Sequence, residues 1–439
     1  MASRLKSFYH RIRNSEFIGN VLVMITGTGI AQLIPVLIIP LLTRLYTPGE
    51  IGVLAAFVSL FTICSIIAGG RYEYAVILPE EDTQGTRLLQ LASLLSLATG
   101  ILLFIAVFLF GPQISHLLGI PAIAPWLWFL PLAVTAQGLF MTFSFGLNRN
   151  KKYRDIARGK VSQSGSTALI QVAGGVAGWG IAGLIIGKVS GILVSAFWLV
   201  MALYQKAPFH FRAQPWSELK KTAADYSNYP KFNAPHAFTN TLSNSMPVLL
   251  FVTFFTEIIA GFYAMAIRAC YVPVQIVSLA FGQVLAKRLA ELKQQNRDVY
   301  GFVKNTLGKT LAAGLIPFGL LFAAGPTVFG FILGPDWAVT GDYVRILTPY
   351  VYLTFASQPL SYIPLLYDEQ KNALFLYIVS LLLRFAGIIA GIWADSFYLS
   401  LTLYSLTGVL TLIWHLYWYL ALCRRHQPKK PQPDHKLTH

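Results

Sequence analysis

The sequence predicts an all-α integral membrane protein with twelve transmembrane helices. These form two six-helix lobes related by a pseudo-two-fold along the membrane normal. Three observations carry this prediction: a composition too poor in charge to coat a soluble surface, twelve apolar runs of membrane length, and a one-sided distribution of lysine and arginine.

Of 439 residues, 55% are hydrophobic and only 12% are charged, against about 25% charged in an average soluble protein. Mean hydropathy is +0.58, so lipid is the main solvent. The apolar runs fall at 20–42, 50–69, 87–110, 122–147, 160–178, 181–204, 233–256, 258–282, 306–333, 343–366, 373–392 and 396–422. Each approaches the ~20 residues that span a hydrocarbon core at 1.5 Å rise. The first run follows the basic start MASRLKSFYHRIRNSEF and has full membrane length, so it reads as a retained helix rather than a signal peptide. Gly178-Trp179-Gly180 leaves room only for a tight turn between the fifth and sixth runs.

The net charge of +16 would suggest nucleic acid in a soluble protein, but here 29 of the 34 lysines and arginines lie in alternate gaps between runs and at the two ends. That is the pattern of cytoplasmic loops, and nucleic-acid binding is set aside. With both termini cytoplasmic, the chain divides into an N-terminal segment 1–19, an N-lobe 20–204, a cytoplasmic linker 205–232, a C-lobe 233–422 and a tail 423–439. The halves echo each other. Thr47 and Gly52 recur 209 positions on as Thr256 and Gly261, and Gly111-Pro112 followed by Gly119 recurs as Gly325-Pro326 followed by Gly334. Halves with the same in/out sense are parallel repeats, which place substrate between them.

Five basic residues lie outside the inside segments: Arg44, Lys188, Arg268, Arg345 and Arg384. Arg44 and Arg345 fall at outer helix ends, where snorkelling explains them. Arg268 and Arg384 fall near mid-bilayer and Lys188 about seven residues into the sixth run. A basic residue at a helix centre costs roughly 2.5–3.5 kcal/mol, so it needs an acid or a wet cavity, and no acid sits at that depth. One reading makes the three residues the lining of a cavity for an anion, with arginine gripping phosphate in a bidentate way. The other has Lys188 snorkelling and the arginines bonding helix carbonyls.

The seventh run is the most polar, and Asn233, His236, Asn240 and Asn244 share one helical face. Such a stripe either lines a water-filled space or glues helices together. Pro235 and Pro247 in this run, and Pro35 and Pro40 in the first, are expected to bend the helices that open each half.

Other chemistry is poorly supported. Cys64, Cys270 and Cys423 have no metal or disulfide spacing. Gly308-Lys309-Thr310 lacks the glycine that a phosphate loop needs five residues earlier, where Val303 stands. No cofactor is expected. Without an ATP-binding module, energy must come from an Na⁺ or H⁺ gradient or from the substrate's own gradient.

The passages RLYTPGEIGVLAAF (44–57), GRYEYAVILPEED (70–82), YPKFNAPHAFTNTLSNSMPVLL (229–250), IAGFYAMAIRACYVPVQIVSLAFGQV (259–284) and FGFILGPDWAVTGDYVRILTPYVYLTFASQPLSYI (329–363) resemble the bacterial polysaccharide (O-antigen repeat-unit) flippases. These belong to the multidrug/oligosaccharidyl-lipid/polysaccharide exporter superfamily, and the resemblance covers about residues 15–425. It implies alternating access around a cationic cavity in the bacterial inner membrane, and an undecaprenyl-diphosphate-linked oligosaccharide as cargo. Membrane lipids are further partners, and a polysaccharide polymerase and a chain-length regulator are candidate ones. Arg71 and Glu73 match the family's Arg-Tyr-Glu element at the inner end of the second helix, a candidate gate or a self-contained ion pair. Arg268 lies where members often carry an Asn-Arg pair; here Ile267 precedes it. An ion-coupled drug/cation antiporter of the same superfamily is the alternative, but it usually needs membrane carboxylates that this chain lacks at depth. A membrane enzyme would need larger outer loops.

Overall fold

The computed structural model describes residues 16–206 and 214–427. Most of the expected N-terminal segment, part of the linker and most of the tail lie outside the described residues. Within them, nine helices are long and apolar enough to cross a membrane. Three further expected runs also form helices but are more polar. They are Tyr153–Val176, which opens on charged turns, Ala234–Phe254 with its polar stripe, and Ala338–Ser357. Close contacts divide the chain into two compact units: one runs to Met265 and includes Ile332–Trp337, and the other holds Ala266–Phe331 and the residues from Ala338 onward.

In the first unit, α1 (Glu16–Leu37) ends two residues after Pro35, and α2 (Ile39–Leu45) restarts with Pro40 in its first turn. The two prolines thus break the first run at Ile38. α3 (Pro48–Ser65) begins with a capping box. The Thr47 hydroxyl accepts from the Glu50 N–H at 3.3 Å, and the Glu50 carboxylate accepts from the Thr47 N–H at 2.8 Å. α4 (Asp82–Leu117) and α5 (Leu130–Arg149) form the next hairpin. α6 (Tyr153–Val176) and α7 (Ile181–Lys206) meet at the expected tight turn, where Gly178 and Gly180 take φ of 71° and 55°. Gly174 and Gly183 let these two backbones touch.

Part of the expected linker folds into a short amphipathic helix, α8 (Trp216–Asp225), which buries Leu219 and Thr222. It is pinned to the N-terminal end of α4 by an Arg87–Glu218 ion pair of 2.9 Å. Tyr72 also donates to the Ala223 carbonyl at 3.0 Å. α9 (Ala234–Phe254) packs along α3, followed by α10 (Glu257–Ala266).

Two of the residue pairs that echo each other in the sequence have matching local structures. Thr256 caps α10 through Ile259 N–H at 3.2 Å, as Thr47 caps α3 through Glu50 N–H. A Cβ on Gly52 would fall inside the Glu257 carbonyl, and one on Gly261 inside the Pro48 carbonyl. These contacts are reciprocal at the same offset of 209 positions. Trp337, 2% exposed, donates its indole N–H to the Thr43 carbonyl at 2.8 Å.

The second unit contains α11 (Val272–Gln294), α12 (Val299–Leu333), α13 (Ala338–Ser357), α14 (Ile363–Leu366), α15 (Gln370–Trp393) and α16 (Phe397–Arg425). Arg345 is exposed and bonds helix carbonyls. It donates to the Phe322 and Ala323 carbonyls at 3.0 and 3.1 Å. Pro326, inside α12, has no N–H for the Phe322 carbonyl, so the guanidinium supplies the missing donor.

Candidate functional site

Two π turns position two of the residues singled out from sequence. Tyr229–Asn233 is one, and its closing bond runs from Ala234 N–H to the Tyr229 carbonyl. Ile267–Tyr271 is the other, closed from Val272 N–H to the Ile267 carbonyl. Each is followed by a proline, Pro235 or Pro273, in the first turn of the next helix. A proline ring clashes with the carbonyl four residues back, and widening the preceding turn relieves that clash. Such bulges recur at functional sites. Pro235 therefore sits at a helix start, while Pro247 lies inside an unbroken α9.

In the first unit, Arg71 Nε donates to Asn233 Oδ1 at 2.8 Å, and the guanidinium stacks over the Tyr74 ring at 4.0 Å. Gly70 and Arg71 both adopt left-handed conformations, with φ of 61° and 65°. That costs an L-residue roughly 1–2 kcal/mol. Glu73 follows, 4% exposed, and its Oε2 has no hydrogen-bond partner among the described residues. Burial raises its carboxyl above the usual range, against the opposing pull of its backbone hydrogen bond and Arg71. On α9, His236, Asn240 and Asn244 are exposed, as is Asn233, while Thr241, Ser245 and Leu249 on the other face are buried. Asn244 bonds the Asn240 carbonyl at 3.0 Å. Lys188 is half-buried on α7, with its ammonium 5.5 Å from the Phe61 ring.

The other two basic residues belong to the second unit. Arg384 on α15 donates from Nε to the Ser380 carbonyl at 3.2 Å and from a terminal nitrogen to the Tyr350 hydroxyl at 2.8 Å. Tyr350, Tyr404 and Tyr271 surround it with phenolic oxygens. Tyr271 closes the π turn that carries Arg268, so one turn supplies both a second cation and a phenol in the surroundings of the first. Arg268 is half-buried and, among the described residues, has no hydrogen-bond or ion-pair partner. No carboxylate among those residues pairs with Arg384 either.

Arg384 bonds a helix carbonyl and a tyrosine hydroxyl, neither of which cancels its charge. Phenol and carbonyl oxygens orient a guanidinium without neutralising it, so it keeps the capacity to bind an anion. The tyrosine cage was not foreseen. Its three members come from separate helices, and in a chain with 21 tyrosines nothing local distinguishes them. The cysteines are all free.

A 23% identical relative, over 311 residues, is the succinoglycan biosynthesis transport protein ExoT of Rhizobium meliloti (strain 1021). The match covers 70% of this chain, which spans 61% of the relative's length. Among solved structures, the lipid II flippase MurJ in an inward closed conformation superposes with a TM-score of 0.69 at 13% identity, covering 93% of this chain and 90% of MurJ. An inward-facing multidrug resistance MATE transporter of the MOP superfamily superposes with a TM-score of 0.65 at 14% identity, covering 91% and 98%. At these identities the two structures speak for the fold of a multi-pass membrane transporter. The sequence profile described as polysaccharide biosynthesis protein matches residues 41–341, and the chain belongs to that family.

Proposed function

We propose that this protein flips an undecaprenyl-diphosphate-linked oligosaccharide repeat unit from the cytoplasmic to the periplasmic leaflet by alternating access, for O-antigen, capsule or exopolysaccharide assembly. The observation that carries the reading is Arg384 held among tyrosines, with Arg268 half-buried on its π turn, each without an acidic partner among the described residues. A diphosphate is the natural counter-charge for such a site. Family membership and the likeness to a lipid II flippase support it. Twelve helices in two lobes of six, with both termini in the cytoplasm of a bacterial inner membrane, complete the proposal. The reciprocal Gly52–Glu257 and Gly261–Pro48 contacts support a two-fold relation between the halves. Lys188, Asn233, His236, Asn240 and Asn244 are proposed as further cavity residues, Arg71 and Glu73 as a gate element. Coupling to Na⁺ or H⁺ belongs to the same proposal.

The test is complementation. The wild-type chain restores surface polymer in a strain lacking its own flippase, and Arg268→Ala or Arg384→Ala chains insert normally but do not. Normal polymer in both variants would overturn the reading. A reporter fused after residue 425 should read cytoplasmic.

A further inference from the structure

A groove of about 740 Å³ opens at the inner end of the first unit, apart from every residue discussed so far. Thr26 and Gly27 of α1, Arg154, Arg158 and Val161 of α6, and Trp198 of α7 line it. Its floor is where α1 and α6 approach most closely, since a Cβ on Gly27 would overlap Ala157. Arg154 and Arg158 are one turn apart on one face of α6 and are both exposed. Asp155, buried beneath them, pairs with Arg158 at 3.9 Å. No carboxylate among the described residues pairs with Arg154. About half a turn further along α6, Lys160 donates to the Thr28 hydroxyl at 3.3 Å.

The apolar wall indicates what the groove faces. Trp198 is 40% exposed and sits among Val194, Phe197 and Met201, all exposed on the same stretch of α7. That stretch lies within a membrane-spanning helix, Ile181–Gln205. Trp198 is seven residues from its inner end, about 10 Å at helical rise, a depth at which tryptophan anchors to the headgroup boundary. Basic pockets on the cytoplasmic side of membrane proteins take lipid headgroups. Two guanidinium groups one turn apart offer bidentate sites to two phosphoryl groups. A phosphoglyceride with one phosphate would satisfy only one of them.

We infer that this groove is a loading site for a diphosphate-headed polyprenyl lipid in the inner leaflet. Arg154 and Arg158 bind the diphosphate, and the first isoprene units lie over Val161 and Trp198. The inference rests on the flippase reading and adds to it a binding step separate from Arg268 and Arg384.

The experiment measures binding, not transport. The full chain in nanodiscs is titrated with undecaprenyl diphosphate and, separately, with phosphatidylglycerol, with bound lipid counted by native mass spectrometry. The wild-type chain should prefer the diphosphate lipid by about tenfold or more, and R154Q/R158Q should bind it about tenfold more weakly. If the double variant does not fold, R154Q and R158Q singly should each weaken binding about threefold or more. Diphosphate binding unchanged in the variants, or phosphatidylglycerol bound as tightly by the wild type, overturns the site. Either result leaves the flippase reading standing, because that reading is decided by polymer rescue with the wild-type chain.

Discussion

Arg71 and Asn233, 162 positions apart, are joined by a 2.8 Å hydrogen bond from Nε to Oδ1. The arginine holds a left-handed backbone to make it, and the asparagine stands on a π turn. Both ends of the bond are therefore unusual backbone sites, the kind that persist only when the surroundings over-determine them. A hydrogen bond to a charged group contributes about 1.5–3 kcal/mol. A double-mutant cycle with Arg71→Ala and Asn233→Ala, read from unfolding midpoints in detergent, should give a coupling of about 1–3 kcal/mol. Additive single effects would show the bond to be incidental.

Glu73 gives a pH signature with a definite sign. Burial raises its folded-state carboxyl above the ordinary value of 4.5. The unfolded state therefore loses its proton first, and the stability tied to the protonated form is complete below about 4.5 and declines as pH rises through the higher folded value. Glu73→Gln, neutral at every pH, should match the wild type in acid and exceed it at pH 7. Thermal midpoints of both proteins across pH 4–7 check this, and parallel curves would contradict it.

Arg384 is positioned by geometry as well as charge. Tyr350→Phe removes the 2.8 Å acceptor while keeping the ring. It should leave the fold intact and lower polymer yield several-fold. Arg384→Lys should perform worse than Tyr350→Phe, because an ammonium cannot reach the Ser380 carbonyl and Tyr350 hydroxyl in the guanidinium's planar fork. Polymer chain counts in the complemented strain decide the order.

Gly52 and Gly261 test the reciprocal packing at the starts of α3 and α10. Alanine at either position places a methyl group inside a backbone carbonyl of the facing helix. Overpacking of this kind costs about 1–3 kcal/mol. The double variant should cost less than the sum, since one displacement of α10 from α3 relieves both clashes. Unfolding midpoints of the three variants measure it, and unchanged midpoints would show that the helices separate freely.

Much of the helical plan was legible in the residues. The tight turn at Trp179 and the paired caps at Thr47 and Thr256 needed only local rules of spacing and capping. The break at Ile38 likewise follows from the two prolines beside it. The π turns were half legible: Pro235 and Pro273 mark the place, but a proline is equally compatible with an ordinary helix start. The three polar helices fall short of a clean membrane signal because charged, amide and hydroxyl side chains lower their hydropathy, whether or not those side chains face lipid.

The sequence by itself determined that this protein lives in lipid, where its helices lie, and which cations fall within its membrane-length runs. These follow from local chemistry, since every backbone group in a bilayer must be bonded within its own helix and every buried charge announces its cost. Only the tertiary structure decided which side chains answer those charges: three tyrosines for Arg384, Asn233 for Arg71, Phe61 beside Lys188. Partners of that kind come from helices far apart in sequence, and their meeting depends on how the helices pack rather than on any spacing along the chain.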